Sequence, residues 1–350
     1  MKRKGLRWWV VGLVALAAII NYIDRQAFGA LWPEIAGDLF PDMTADETKN
    51  IYGNISAIFI LSYAAGQTIF GKIFDWIGTR IGFAISIGVW SFATAIHAFA
   101  QGFMSFAIFR SILGIAEAGN WPGAAKANAE WFPTKERAFA QGIFNSGAAI
   151  GGIVAYPIIG LLSVYLSWQA IFICVALLGF LWLLPWLYIV KAPPEAHPWL
   201  SDSEMIGAWF GGLLAQNRLN VGWNVNKTRK FVITLGCLIM IPCFFLLKAP
   251  GTAVNAVLIM AVLLFGFQTA IGNVQTLPSD MFSGKTVGTL SGFAGTGAKL
   301  GAFGLTLLIP VITKGGNYEP AFLIGVALAV IALIAVWVLC PKIEPLKPVI

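Results

Sequence analysis

Apolar residues in this chain fall into blocks of about twenty, and that length constrains the fold more than any motif does. A helix rises 1.5 Å per residue, so roughly 20 residues cover the ~30 Å hydrocarbon core of a bilayer. Ten such blocks run over about 8–30, 52–74, 81–101, 103–125, 137–163, 168–190, 229–248, 252–276, 285–312 and 320–340. Within hydrocarbon every backbone N–H and C=O needs a partner from its own segment, and a helix supplies one. The expected fold class is therefore an all-α polytopic membrane protein with about ten transmembrane helices, six plus four. Composition agrees. Of the residues, 58% are hydrophobic and 11% charged, against about 25% charged in soluble domains, which excludes a soluble α/β enzyme of this length.

Charge sets the expected orientation. With the N-terminus inside, the inner connections hold Lys72 and Arg80, then Lys135, Glu136 and Arg137, then Lys227, Arg229 and Lys230, then Lys285, with Lys342 and Lys347 in the tail. The first outer connection carries Glu34, Asp38, Asp42, Asp46 and Glu47 against Lys49 alone. By the positive-inside rule both termini face the cytoplasm, and the net charge of +7 reads as topology rather than a nucleic-acid footprint. Lys2, Arg3 and Lys4 before the apolar run Trp8–Ile20 imitate a signal peptide. No small-residue cleavage site follows, so the run reads as a retained first span. Cys174, Cys237, Cys243 and Cys340 lie inside apolar blocks without a CxxC pair, and His97 and His197 are too few for a haem or metal centre. No nucleophile–base pair or phosphate loop stands out. An enzyme is not expected, and no cofactor.

The one long connection, about 191–228, begins Pro-rich at Ala192-Pro193-Pro194-Glu195-Ala196-His197-Pro198. It divides the chain into an N-terminal six-helix bundle (1–190), a cytoplasmic linker (191–228) and a shortened C-terminal four-helix bundle (229–350). Within the linker, Met205–Leu214 is apolar but too short to cross, which suits an interfacial or partly buried helix.

Several polar residues stand where lipid makes them costly. Gly71, Asp75, Gly78 and Arg80 join the second and third spans; the glycines permit a sharp turn, and Asp75 can pair with Arg80 across a helix end. Asn21-Tyr22-Ile23-Asp24-Arg25 lies late in the first span, where an ionisable residue costs about 2.5–3.5 kcal/mol unless it faces a cavity or a partner. Adjacent helical residues point about 100° apart, so Asp24 and Arg25 need separate partners. Arg110 and Glu117 are seven residues apart and share a helix face, with Asn120, Trp121 and Pro122 following. Such an Arg can engage a carboxylate and such a Glu can exchange a proton; the alternative is a structural Arg110–Glu117 pair. Gln268, Asn273 and Gln275 share a later span, as interhelical hydrogen-bond partners or as substrate contacts. Lys299 interrupts the Gly-rich span 285–312, able to bind a substrate carboxylate or to pair with Asp24 or Glu117.

The loop Gly71/Asp75/Gly78/Arg80 resembles the signature loop of the major facilitator superfamily, which controls conformational change. The Asn21–Arg25 segment, Arg110–Pro122, Glu130–Arg137, Gly142–Gly147 and Thr276–Phe282 together resemble its anion:cation symporter branch. Within that branch the likeness is to bacterial transporters of hexuronates and related sugar acids, with the animal sialin group more distant. The resemblance implies proton-coupling roles for Asp24 and Glu117. It places Arg110, Tyr22 and Tyr63 toward the sugar acid, with Asn145 and Ser146 as further polar candidates. Arg25, Gln268, Asn273 and Lys299 complete the substrate-binding set expected here.

The family has twelve spans in two six-helix halves around a midplane site. Here Leu200–Glu204 resembles the end of the central linker, while Gly211–Arg218 and Gly222–Asn226 resemble the end of the eighth span and the loop after it, with Asn217 in place of an Asp. The seventh span and most of the eighth are absent by this comparison. Losing two consecutive spans preserves the orientation of everything downstream. The expectation is proton-coupled symport of a small organic anion by alternating access, in a bacterial inner membrane. The partners are the anion and the bilayer, with no nucleic acid. The alternative is a non-transporting remnant or a substrate-binding, sensor-like membrane protein.

Overall fold

A computed structural model describes residues 5–134, 136–191, 223–248, 251–282, 285–313 and 318–344. These residues form helices and turns, with no strand among them. In chain order the helices are α1 (Leu6–Leu39), α2 (Ala45–Ile96), α3 (Phe103–Glu117), α4 (Asn120–Trp131), α5 (Arg137–Ser163), α6 (Trp168–Ile189), α7 (Val225–Leu246), α8 (Ala253–Met281), α9 (Val287–Ile312) and α10 (Glu319–Leu339). The expected linker helix at Met205–Leu214 and the segments likened to the eighth span lie mostly or wholly outside the described residues.

Local sequence explains where the helices begin and break. A capping box opens α2: Glu47 N–H donates to Thr44 Oγ1 at 3.3 Å, and Thr44 N–H donates to Glu47 Oε2 at 2.8 Å. Ser167, Asn224 and Thr252 cap α6, α7 and α8 through their side-chain oxygens. The second and third expected spans are joined in α2, which runs through the charged turn with a break at Gly78 (φ 78°, ψ 170°). The fourth expected span is divided between α3 and α4. Its hydrogen bonding tightens at Gly119, whose N–H donates to Ala116 O at 3.2 Å, and Pro122 has no N–H to continue the ladder.

Among the described residues, eight helical segments are long and apolar enough to cross a membrane. One of them, Ala45–Phe99, is 55 residues long and has a crossing length on each side of Gly78. With α3 and α4 read as one broken crossing, the described helices have the length for the ten expected crossings.

The described residues fall into two compact units. The first holds those within 1–131, 143–206 and 284–303. Its core joins Ile23, Phe28, Leu31 and Ile35 of α1 to Ile55 of α2, Phe106 of α3 and Trp168 and Phe172 of α6. The start of α9 packs along α2 in the same unit, with Gly71 so close that a Cβ there would meet Gly288 O at 2.5 Å. The second unit holds residues within 132–142, 207–283 and 304–350. There Ile233, Cys237 and Met240 of α7 pack on Ala329 and Val336 of α10, while Gly236 brings α7 against Gly266 of α8. Small residues at these crossings let the backbones approach, the usual basis of helix packing where lipid tails remove the hydrophobic drive.

Candidate functional site

In the first unit, Asp24, Arg25, Arg110, Glu117 and Lys299 form one charged cluster. α1 turns Asp24 and Arg25 toward different helices, as neighbouring helical positions must. Asp24 is buried, and its Oδ2 accepts from Thr94 Oγ1 of α2, while Oδ1 has no hydrogen-bond partner. Arg25 reaches α3 instead. Its Nη2 donates to Glu117 Oε2 at 2.9 Å, its Nε to the same oxygen at 3.3 Å, and Nη2 also to Asn21 Oδ1 at 3.3 Å. The Glu117 side chain is 0% exposed against 20% for Arg25, so the carboxylate is the enclosed member of the pair. Glu117 Oε1 is left without a partner.

Arg110 shares a helix with Glu117, yet makes no ion pair with it. Its guanidinium lies over Phe28, with Cζ 4.1 Å from the ring centroid, and 5.7 Å from Phe59. Arg110 Nε and Nη2 are buried and have no hydrogen-bond partner. Arg25 Cζ in turn lies 4.7 Å from the Tyr63 ring, 5.2 Å from Tyr22 and 5.6 Å from Phe59. Lys299 of α9 sets its Nζ 5.0 Å from the centroid of the same Tyr63 ring. It pairs with neither Asp24 nor Glu117. Three cations therefore accompany two carboxylates, one surplus positive charge when both acids are ionised. Aromatic faces attract these cations where little water screens them.

The remaining substrate-binding candidates are dispersed. Asn145 is buried on α5, and Ser146 beside it is exposed. Gln268 and Asn273 belong to the second unit. Gln268 is exposed on α8, and Asn273 is buried with its Oδ1 accepting from Arg229 Nη1 at 3.1 Å. Sequence reasoning missed Thr94, Phe28 and Phe59. A threonine or phenylalanine inside a span resembles any helix-packing or lipid-facing residue, and Thr94 lies 70 positions from the Asp24 it contacts.

The loop residues form a second constellation in the first unit. Asp75 does not pair with Arg80. Its Oδ1 accepts from Gly288 N–H at 2.9 Å, and its Oδ2 from Thr289 N–H and Oγ1, both at 2.6 Å. The start of α9 thus offers Asp75 unpaired backbone donors and a positive dipole end, a better site for a carboxylate than a flexible arginine across a turn. Lys126 Nζ lies 3.3 Å from both Asp75 and Glu130, and Thr79 Oγ1 donates to Glu130 Oε2 at 2.8 Å. Arg80 contributes its carbonyl, which accepts from Trp186 Nε1 at 3.0 Å.

A third polar cluster lies in the second unit. Arg229, read from sequence only as a topological charge, is buried and donates through Nε to Asp280 Oδ2 at 2.8 Å and through Nη2 to Thr134 O at 3.2 Å. Arg137 Nη1 stands 3.5 Å from Asp280 Oδ1 and also donates to Ser279 O. Gln141 Nε2 donates to Gln275 Oε1 at 3.0 Å. No group of three or more His, Cys, Asp or Glu able to hold a metal occurs among the described residues.

The family description Major Facilitator Superfamily matches residues 14–218. A hexuronate transporter of Escherichia coli K12 is 25% identical over an alignment of 417 residues, covering 96% of this chain and 94% of that protein. A galacturonate transporter of Dickeya chrysanthemi is 35% identical over 194 residues, covering 55% of this chain and 54% of its relative, so that match spans about half of each. Among solved structures, a proton:xylose symporter of E. coli superposes with a TM-score of 0.75 at 13% identity, covering 97% of this chain and 96% of that one. At that identity the likeness speaks for the fold alone.

Proposed function

The chain belongs to the major facilitator superfamily, and from that premise we propose that it carries a hexuronate or related sugar acid together with protons by alternating access. Membership makes it an integral membrane transporter, not an enzyme. The sugar-acid reading is supported by the two relatives named for hexuronate and galacturonate transport. It is supported as well by the surplus of positive charge among Arg25, Arg110, Lys299, Asp24 and Glu117.

The observation that carries the coupling reading is the 2.9 Å pair between Arg25 and the enclosed Glu117. An ionised Glu117 occupies the guanidinium that an incoming carboxylate would need. A proton on Glu117 weakens that pair and leaves Arg25 open to the substrate, with Arg110 offering two further donors. Asp24, held on one oxygen by Thr94, has its other oxygen available to a proton. Substrate and proton then enter together, because neither is well accommodated without the other. Rocking of the halves about the loaded site completes transport. We assign the protein to a bacterial inner membrane with both termini cytoplasmic, a reading that the bacterial relatives and the charge of the connections support.

The test is Glu117→Gln in proteoliposomes. Proton-driven accumulation of labelled glucuronate or galacturonate falls to background, while exchange of internal for external substrate persists. Proton-driven uptake at the wild-type rate would refute the coupling role.

One observation favours a second reading. The 417-residue alignment with the hexuronate transporter is longer than the chain's 350 residues, so the relative carries stretches with no counterpart here. That agrees with loss of the seventh and most of the eighth span, and with a remnant that binds but does not transport. Saturable sugar-acid binding without uptake or exchange, from folded protein, would select this reading.

A further inference from the structure

Lys299 is the ionisable residue that the coupling scheme leaves without a task. Its position is held firmly. Asp75 grips the start of α9 through Gly288 and Thr289, and further along the helix Thr296 Oγ1 donates to Ala64 O at 2.6 Å and lies 2.8 Å from Thr68 Oγ1. The two helices therefore run antiparallel in a locked register. Eleven residues past Gly288, Lys299 is carried about 16 Å up the helix, near the middle of the hydrocarbon, where a charged residue is a functional candidate by default. It makes no ion pair there and stands over Tyr63.

Charge bookkeeping within the unit sharpens the point. Glu117 answers Arg25, and Asp24 is the one other carboxylate in the group, so Arg110 and Lys299 both lack a paired acid. These two cations sit over different rings, Arg110 over Phe28 and Phe59 and Lys299 over Tyr63, with Phe59 and Tyr63 adjacent at 5.9 Å. Arg25 Cζ and Lys299 Nζ are 4.7 and 5.0 Å from the same Tyr63 centroid, which bounds their separation to under about 10 Å. An extended six-carbon chain holds its terminal carbons roughly 6 Å apart, with bond lengths near 1.5 Å. Adding a hydrogen-bond length at each end lets one such molecule reach both an arginine and Lys299.

We propose that Lys299 is a second carboxylate subsite, and that the preferred substrate is a dicarboxylic sugar acid with an acid group at each end. One carboxylate is taken by Arg25 and Arg110, the other by Lys299, and the carbon chain lies along Tyr63. The inference rests on the sugar-acid reading above and narrows it to the doubly charged members of that class.

The test is equilibrium binding to the purified full chain in lipid nanodiscs. Glucarate and galactarate are compared with glucuronate and galacturonate, which have one carboxylate each, in wild type, Lys299→Met and Lys299→Arg. Wild type binds the dicarboxylates at least ~10-fold more tightly, a free-energy difference of about 1.4 kcal/mol. Lys299→Met weakens dicarboxylate binding at least ~10-fold more than monocarboxylate binding and so removes that advantage, while Lys299→Arg keeps most of it. Equal affinity for both classes in wild type overturns the inference, as does an equal loss for both in Lys299→Met, which marks a packing role against Tyr63. Should Lys299→Met fail to fold, the wild-type selectivity decides alone. Wild type binding none of the four acids would instead remove the sugar-acid reading itself.

Discussion

At the scale of single residues, burial and pairing decide which side chains can act. Asp24 and Glu117 are both enclosed, but their partners differ in kind: a neutral hydroxyl for one and a guanidinium for the other. Thr94→Val removes a hydrogen bond to a group that carries charge, worth about 1.5–3 kcal/mol, from Asp24. The expected outcome is a displaced pH profile of uptake with little change in substrate affinity, measured as initial rates across pH 5–9. Arg110→Met deletes a cation with two unpaired donors, and binding of sugar acids weakens by at least ~10-fold, or about 1.4 kcal/mol. Arg110→Lys recovers part of the loss, since a lysine supplies charge but not a planar fork. Unchanged affinity in Arg110→Met would remove it from the substrate site.

At the scale of elements, the chain's breaks and clamps matter more than its apolar runs. The blocks at 137–163 and 168–190 are recovered almost to the residue as α5 and α6, because charge and proline bound the pair at 133–137 and 191–194 and Ser167 caps α6 between them. The block boundary between 74 and 81 is different. Lys72, Asp75 and Arg80 lower the hydropathy there, and Gly78 at φ 78° breaks the helix between the two spans. Pairings were less legible than positions. Asp24, Arg25, Arg110, Glu117 and Lys299 stand out because charge is rare inside a span, whereas Thr94, Phe28 and Phe59 carry no such signal. Nor does spacing along the chain announce that Asp75 meets a helix start 213 residues away. Asp75→Ala strips that helix start of its acceptor, and Gly78→Val forces a side chain into a conformation that costs about 1–3 kcal/mol. Both variants lower the thermal midpoint in nanodiscs, and Asp75→Ala also slows transport by loosening α9 from α2. A midpoint and rate equal to wild type for Asp75→Ala would deny the clamp.

On the scale of the whole molecule, the two units rest on different interactions. The first has a large aromatic core of Phe28, Phe106, Trp168 and Phe172, while the second relies on a smaller apolar cluster and the buried Arg229–Asp280 network. Deleting one member of a buried ion pair costs about 3–5 kcal/mol, because the other is left charged and alone. Asp280→Ala is therefore expected to destabilise the second unit, read as protease cleavage within 223–282 or 318–344 at a temperature where the first unit resists. A terminal tag cleaved only in inside-out vesicles would place that terminus in the cytoplasm, as the charge of the connections predicts. Family and helix content were legible from block length and motifs. The balance between the units was not, because it depends on side chains that meet across the fold. The central claim is coupled movement of a sugar acid, and its most direct test is uptake by the purified 350-residue chain in proteoliposomes under an inward proton gradient. Accumulation of labelled glucuronate, galacturonate, glucarate or galactarate that collapses with a protonophore and is lost in Asp24→Asn is the predicted result. No uptake of any of the four by folded protein, or uptake indifferent to the gradient, would contradict it.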